Sequence, residues 1–243
     1  MVNPVAASTG GAAKTMVDSL FHLTLDGLRR YNIVKDKELA DFYDKIHEKN
    51  DPIPIENRDD SKAGLALKAM EDSRYQLNEE TMRELFANLI SSTLDNRKNG
   101  RVVPVFSHIL ANMTKEDALF LKALKESIAI PLAQIVQYES LGTSIPLYEN
   151  IVLFENRFDT TLTKTLDSLS MFGIINIEPD GKLTSTEHQE IYSAFKTSDY
   201  YIELSDEPAK EISGTTFDKV TMIEGGVFLT SLGFDFVNIV FQD

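Results

Sequence analysis

The stretch FDTTLTKTLDSLSMFGIINIEPDG, residues 158–181, determines how the second half of the chain is interpreted. Its leucines at positions 162, 166 and 169 recur at helical spacing, which predicts a helix from Phe158 to Phe172 with one buried face. Gly173 is expected to end that helix, and Ile-Ile-Asn-Ile at 174–177 then predicts a short strand. Glu-Pro-Asp-Gly at 178–181 is typical of a turn.

The residues beyond this turn continue the same order of elements. Tyr200, Ile202 and Leu204 alternate with polar residues and predict a half-buried strand, and 227–229 predicts another. Helical spacing from 231 to 241 predicts a closing helix. Because a helix, a strand, a turn, a returning strand and a helix follow one another in a winged-helix module, we expect such a module over residues 111–243. Its wing would extend from Gly181 to Gly226. A generic small α+β unit is the alternative interpretation of the same order.

The chain up to Pro131 is predicted to be helical. Apolar residues at three- and four-residue spacing predict helices over 17–28, 38–47, 82–94 and 105–113. Thr114 and Asp117 are spaced as the two ends of a capping box that begins a further helix, and Pro131 is expected to break it. The expected fold is therefore mainly α, of the α+β class, with a helical region over 1–110 and a flexible lead-in over 1–14.

Charge is distributed unevenly along the chain. The 24 Lys and Arg and 38 Asp and Glu give a formal charge of −14, of which −2 lies in residues 1–110 and −12 in residues 111–243. Duplex binding depends on cations that neutralise phosphates. The predicted helix region offers only Arg157 and Lys164, opposed by Asp159 and Asp167. Nucleic acid is therefore not an expected partner, and a winged-helix transcriptional regulator that binds DNA is kept as the alternative function.

The sequence contains no familiar catalytic constellation. Cysteine is absent, and so are the phosphate-binding loop, the dinucleotide fingerprint, the two-histidine zinc motif and the nucleophile elbow. Pro179-Asp180 with Glu187 resembles a nuclease's acidic pair, but Gln189 stands where the lysine should follow. No catalytic, cofactor-binding or metal residues are predicted, and no enzyme is expected. An effector enzyme such as a nuclease, built from residues distant in sequence, is a third hypothesis.

The sequence also gives an expectation about compartment. No stretch approaches the roughly 18–20 uninterrupted apolar residues that a membrane-spanning helix needs. The first residues lack the basic start and apolar segment of a signal peptide. We therefore expect a cytoplasmic protein that does not insert into membranes.

Five parts of the sequence follow one another in a recognisable order and spacing. They are Leu85–Asp95, the pair Pro104 and Phe106, Met113–Ala118, Leu169–Ile175 and Leu229–Phe236. Together they resemble the abortive infection alpha family of bacterial phage-defence proteins. The resemblance covers about residues 60–240 and departs at Val103 and Val105, where the family tends to have His and Ser. It implies a role in defence by abortive infection, and it carries over no catalytic residues.

Charge and resemblance together predict a non-enzymatic defence protein that binds a protein partner or associates with itself. The contact surfaces would be the acidic wing and the polar side of the helix 158–172. The polar residues assigned to that side are Thr160, Thr161, Thr163, Thr165, Ser168 and Ser170. The candidate partner-binding residues are Asp159, Thr160, Thr163, Lys164 and Asp167.

Overall fold

The computed structural model describes residues 16–26, 28, 36–139, 142–154, 157–159 and 161–242. They form an α+β protein whose chain divides into two compact units, Met1–Lys122 with Phe234–Asp243, and Ala123–Gly233. The predicted α+β class is confirmed, whereas the winged-helix arrangement is not confirmed. The predicted boundary between residues 110 and 111 stays a prediction, and the predicted lead-in 1–14 lies outside the described residues.

The first unit is built from helices. They are α1 (residues 16–26), α2 (Asp36–Asn50), α3 (Ala63–Asp72), α4 (Glu80–Thr93), α5 (Val105–Asn112), most of α6 (Lys115–Ser127) and most of α10 (Ser231–Val240). Short 3-10 turns lie at Ile55–Asn57, Ser73–Tyr75 and Asn99–Arg101. Helix α4 packs against α2, α3 and α5 and is buried on nearly every side, so it forms the centre of this unit.

The predicted capping box at the start of α6 is confirmed. The backbone N–H of Thr114 donates to Asp117 Oδ2 at 2.9 Å, and the backbone N–H of Asp117 donates to Thr114 Oγ1 at 3.1 Å. Two N–H groups that a helix start leaves without intrahelical partners are thereby satisfied.

The second unit is built around an antiparallel sheet. Its strands are β1 (Ala129–Tyr138), β2 (Ser144–Phe154), β3 (Arg157–Asp159), β4 (Ile175–Glu178), β5 (Lys210–Ile212), β6 (Thr215–Phe217) and β7 (Lys219–Leu229). Its helices are α7 (Thr163–Met171), α8 (Thr186–Lys196) and α9 (Asp199–Ser205). The main sheet has the order β3-β2-β1-β7-β4, and β5 and β6 form a separate hairpin.

Strands β1 and β2 were not predicted, because their sequence does not alternate. Strand β1 is the central strand of the sheet and is buried on both faces, so it is nearly continuously apolar. Pro131, expected to break a helix, lies near the start of this strand. The pairing of β1 with β2 begins only at Leu132, so the missing N–H of the proline falls outside that ladder, whereas on the other side of the strand Pro131 is aligned with Gly226 of β7.

Three further expectations are wrong in detail. The helix predicted over 158–172 begins at Thr163, and Phe158 lies in β3. The strand predicted at 200–204 is helix α9, which Ser198 caps by accepting a hydrogen bond from the Tyr201 N–H at 3.1 Å. The region predicted as an extended wing, 181–226, contains α8, α9, the β5–β6 hairpin and the beginning of β7.

Helix α8 is fixed to the sheet by its buried aromatic residues. Tyr192 and Phe195 belong to the core cluster that also contains Ile135 of β1 and Ile151 of β2. The Tyr192 hydroxyl donates to the Gly225 carbonyl at 2.5 Å. The opposite side of α8 is left at the surface.

Candidate interaction surface

The boundaries of α7 follow from the residues at its ends and on its inner face. Thr165, Leu166 and Leu169 are its buried residues. The helix ends at Gly173, whose φ of +69° is left-handed. The Ile174 N–H donates to the Leu169 carbonyl at 3.0 Å, and the Gly173 N–H donates to the Ser170 carbonyl at 2.9 Å, which together form a Schellman motif.

The structure places the five predicted partner-binding residues in different settings. Lys164 and Asp167 are exposed and three positions apart, so they share the outer face of α7. Thr163 is half-buried at the start of the helix. Asp159 lies in β3, and Thr160 lies outside the described residues.

The polar side assigned from sequence needs one correction. Thr165 was expected to face outward, but it is only 6% exposed. It lies directly beside Leu166 and one turn before Leu169, so the turn of the helix places it on the inner stripe. The outer face of α7 therefore carries fewer polar side chains than the threonine-rich sequence predicted.

Met171 is a member of the outer face that sequence reasoning missed. Its side chain is 76% exposed and lies four positions after Asp167 and seven after Lys164. The helical spacing of the inward leucines contained this signal, because position 171 lies off their stripe. The α7 face is defined here as Lys164, Asp167, Ser170 and Met171; it combines one cation, one anion, a hydroxyl and an exposed thioether.

The region after α7 uses its lysines internally. Glu224 of β7 is 11% exposed and forms ion pairs with Lys182 at 2.5 Å and Lys196 at 2.6 Å. Burial alone would raise the pKa of the Glu224 carboxyl, but these two ion pairs outweigh it and hold the pKa below its ordinary value. The second unit has 7 Lys and Arg against 17 Asp and Glu, a net charge of −10, and two of the seven are thus neutralised.

The turn at 178–181 lies against the same strand. A Cβ at Gly225 would stand 2.5 Å from the Pro179 carbonyl oxygen and 2.6 Å from that of Glu178. Only glycine lets the backbone of β7 approach the turn so closely. Gly225 and Gly226 come directly before the strand predicted at 227–229, but they lie inside β7, where Gly225 leaves room for the backbone of the turn.

A groove opens in the second unit between α8 and the beginning of β1. It has a volume of about 440 Å³. Its lining includes Ser127, Ala129, Ile130, Pro131, Leu153, Glu187, His188, Glu190, Ile191 and Ala194. The His188 ring Nδ1 lies 2.8 Å from the hydroxyl of Ser185, which caps α8. The lining is thus mainly apolar, with carboxylates contributed by α8.

Neither a metal site nor a membrane span is found in the part of the chain that the structure describes. In those residues no three side chains of His, Asp or Glu are placed to hold an ion. None of the helices described there has both the length and the apolar character required to cross a bilayer.

Comparison with known proteins gives one informative match. The curated proteins contain no match to the chain. A solved structure of an uncharacterized protein from the hydrocarbon-degrading marine bacterium Alcanivorax borkumensis SK2 is similar with a TM-score of 0.36 and 14% identity, over 57% of this chain and 93% of that one. The sequence model of the abortive infection alpha family matches residues 34–240. The chain therefore belongs to the abortive infection alpha family, whose name connects it with abortive infection, a form of defence against phage.

Proposed function

We propose that this protein is a non-catalytic, cytoplasmic component of abortive infection that acts by binding another protein or a second copy of itself. The α7 face is one contact surface in this proposal. The single observation that carries it is the exposure of Met171 beside Asp167 and Lys164 on a helix whose other side is anchored in the core.

An exposed apolar side chain that lies next to polar groups, on a helix anchored in the core, is suited to contact a protein. Methionine is flexible and polarisable, so it adapts to varied partner surfaces. Asp167 and Lys164 lie one and two helical turns before it and supply one charge of each sign, which favours a defined orientation over strong attraction. The Schellman motif at Gly173 fixes the end of α7 next to Met171 and limits the ordering cost of binding.

The charge of the second unit supports a protein partner over nucleic acid. A unit with a net charge of −10 repels a phosphate backbone. Lys182 and Lys196, which would otherwise be available to phosphates, already pair with Glu224. A partner protein needs no such excess of cations.

The test is protection from phage in a sensitive bacterial host that expresses the protein. The double variant Asp167→Lys with Met171→Glu reverses the charge and removes the apolar contact. We expect it to lose at least about tenfold in protection, measured as plating efficiency over a panel of phages, because a few residues carry most of the energy of an interface. Its melting temperature should stay within about 2 °C of the parent, since exposed substitutions change stability little.

Glu48→Lys is the matched control. Glu48 is exposed on α2 and undergoes the same change of charge as Asp167. It should leave protection unchanged. Full protection by the double variant, at an unchanged melting temperature, would remove the α7 face from the proposal.

A further inference from the structure

The end of α6 contains a residue in an unfavourable backbone conformation. The helix ends at Ser127, and the next residue, Ile128, has a φ of +68°. Its N–H donates to the Leu124 carbonyl at 3.0 Å, so it occupies the left-handed position that usually ends a helix at glycine. For a β-branched residue this conformation is an outlier, because the branched Cβ crowds the backbone.

The side chain of Ile128 gains nothing from this arrangement within the chain. It is 79% exposed, which makes it one of the most exposed large apolar side chains in the described part of the protein. Glycine or asparagine would form the same turn with less strain and without exposing apolar surface. Backbone strain at a residue whose side chain is not buried in compensation is expected where that residue serves a function.

The chain neighbours of Ile128 show where that function would be exercised. Ser127 and Ala129 both line the groove between α8 and β1. The apolar residues that line it from β1, β2 and α8 are Ala129, Ile130, Pro131, Leu153, Ile191 and Ala194. Ile128 itself is not among the lining residues; it lies in the chain between two residues that are, so its exposed side chain starts from the edge of the groove.

The α8 side of the groove carries negative charge. Glu187, Glu190, Ile191 and Ala194 follow helical spacing and form one stripe that lines the groove. Both glutamates are exposed, and neither has an ion-pair partner among the described residues. Every other feature of the groove is neutral or apolar except His188. A ligand that fits both halves must therefore combine apolar side chains with positive charge.

We propose that this groove binds a segment of a partner protein that contains apolar residues next to Lys or Arg. The apolar residues contact Ile128 and the recess, and the cations pair with Glu187 and Glu190. This inference deepens the proposed function and rests on it, since it assigns the chemistry of a protein partner. It uses a surface separate from the α7 face, and it commits to a different protein, not a second copy of this chain.

The experiment selects ligands from a display library of random twelve-residue peptides on the purified full-length protein. We expect the selected peptides to combine apolar residues with at least two Lys or Arg and to lack Asp and Glu. Synthetic fluorescent versions should bind at least about tenfold more weakly to Ile128→Gly, because the anchor is removed. They should also bind the Glu187→Gln, Glu190→Gln variant more weakly and lose most of their salt dependence.

Ile128→Gly separates binding from folding. The substitution relieves the left-handed strain, so its melting temperature should rise by about 2 °C or more while affinity falls. Ile128→Val retains part of the apolar contact and should bind with intermediate affinity. Ile212→Gly removes an exposed isoleucine from strand β5, away from the groove, and should bind like the parent.

Three results would overturn the inference. The first is that the selected peptides show no preference for basic residues. The second is that the peptides bind the parent and Ile128→Gly with equal affinity. The third is an Ile128-dependent dimer of the protein in sedimentation, which would assign the groove to a second copy. Peptide binding is measured on the pure protein, so its outcome is independent of phage protection. Protection lost in the α7 double variant without Ile128-dependent peptide binding would overturn this inference alone, and the reverse pattern would overturn the α7 surface alone.

Discussion

Gly233→Ala is the substitution for which structure and helix propensity predict opposite results. Gly233 lies in the first turn of α10, where alanine is normally more stable than glycine by up to about 1 kcal/mol. A Cβ at this position, however, would stand 2.0 Å from the carbonyl oxygen of Ile174. That oxygen belongs to backbone, so no side-chain rotation relieves the clash.

The magnitude follows from what holds this contact in place. Thr230 donates from its N–H to the Ile174 carbonyl at 3.0 Å and from its hydroxyl to the Gly173 carbonyl at 2.6 Å. The same hydroxyl accepts from the Gly233 N–H at 2.9 Å. Moving the helix start away from Ile174 sacrifices about two of these bonds at roughly 1 kcal/mol each, in addition to about 1–3 kcal/mol for overpacking. After the propensity gain is subtracted, we expect a loss of about 3 kcal/mol.

Calorimetry measures this as a fall in melting temperature of roughly 6–12 °C, at about 2–4 °C per kcal/mol for a chain of this size. Gly64→Ala is the matched control, because Gly64 also lies in a first helical turn, that of α3, and has nothing within 4 Å of an added Cβ. It should raise the melting temperature by a few degrees. If Gly233→Ala stabilised the protein as Gly64→Ala does, the close approach of α10 to Ile174 would be refuted.

Three further predictions follow from hydrogen bonds and charge. Thr114→Ala and Asp117→Ala should each reduce the free energy of unfolding by about 1 kcal/mol. The double variant should lose less than the sum of the two, because each side chain needs the other to complete the capping box. Denaturant titration of the parent, the two single variants and the double variant measures these losses. Because the pKa of Glu224 is depressed in the folded protein, its contribution to stability is present above the ordinary glutamate value of 4.5 and is lost as the pH falls below that value. Glu224→Gln should therefore flatten the curve of stability against pH in this acidic range. An equally steep curve in the variant would contradict the stabilisation of the Glu224 carboxylate by Lys182 and Lys196. In a mobility-shift titration at low salt, about 10 μM protein should not retard a DNA duplex, because the second unit is acidic and two of its lysines pair with Glu224; a shifted band that disappears as salt is raised would instead favour the DNA-binding alternative.

Sequence periodicity predicted the elements that have one buried face and clear ends. Strand β4, helix α10 and the capping box of α6 belong to this class. Strand β1 does not, because a central strand buried on both faces is continuously apolar and lacks the period of two that marks a strand. Helix α9 was predicted as a strand because Tyr200, Ile202 and Leu204 follow a period of two, but in the helix only Leu204 of the three is buried, and Ile202 is 52% exposed. The Ser198-Asp199 start, a common helix N-terminus, was the signal that would have resolved it.

In the candidate surfaces, too, some residues could be identified from sequence spacing and others only from the backbone conformation. Lys164 and Asp167 were placed outward by the spacing of the leucines alone, and their exposure is confirmed. Met171 was available from the same spacing. Ile128 could not be identified from the sequence. Its two distinctive features are a φ of +68° and an exposed side chain, and an apolar sequence next to a predicted helix indicates neither of them. Strain of this kind becomes visible only once the backbone path is known.

The stretches that carry the family resemblance place their distinctive residues at helix ends and close backbone approaches. Gly173 ends α7, Thr230 and Gly233 begin α10, and Asn88 donates from its buried amide to the Val240 carbonyl at 2.8 Å. Substituting any of them alters the fold before it alters a surface, so the resemblance specifies an architecture more directly than a binding site. Met171 lies at one of the two variable positions of the Leu-x-x-Leu-Gly-Leu-Ile-like run that the stretch Leu169–Ile175 resembles, and Ile128 lies outside all the resembling stretches. If these two residues bind partners as proposed, then the partner preference and the fold are carried by different residues, and proteins that share the architecture are free to differ in what they bind.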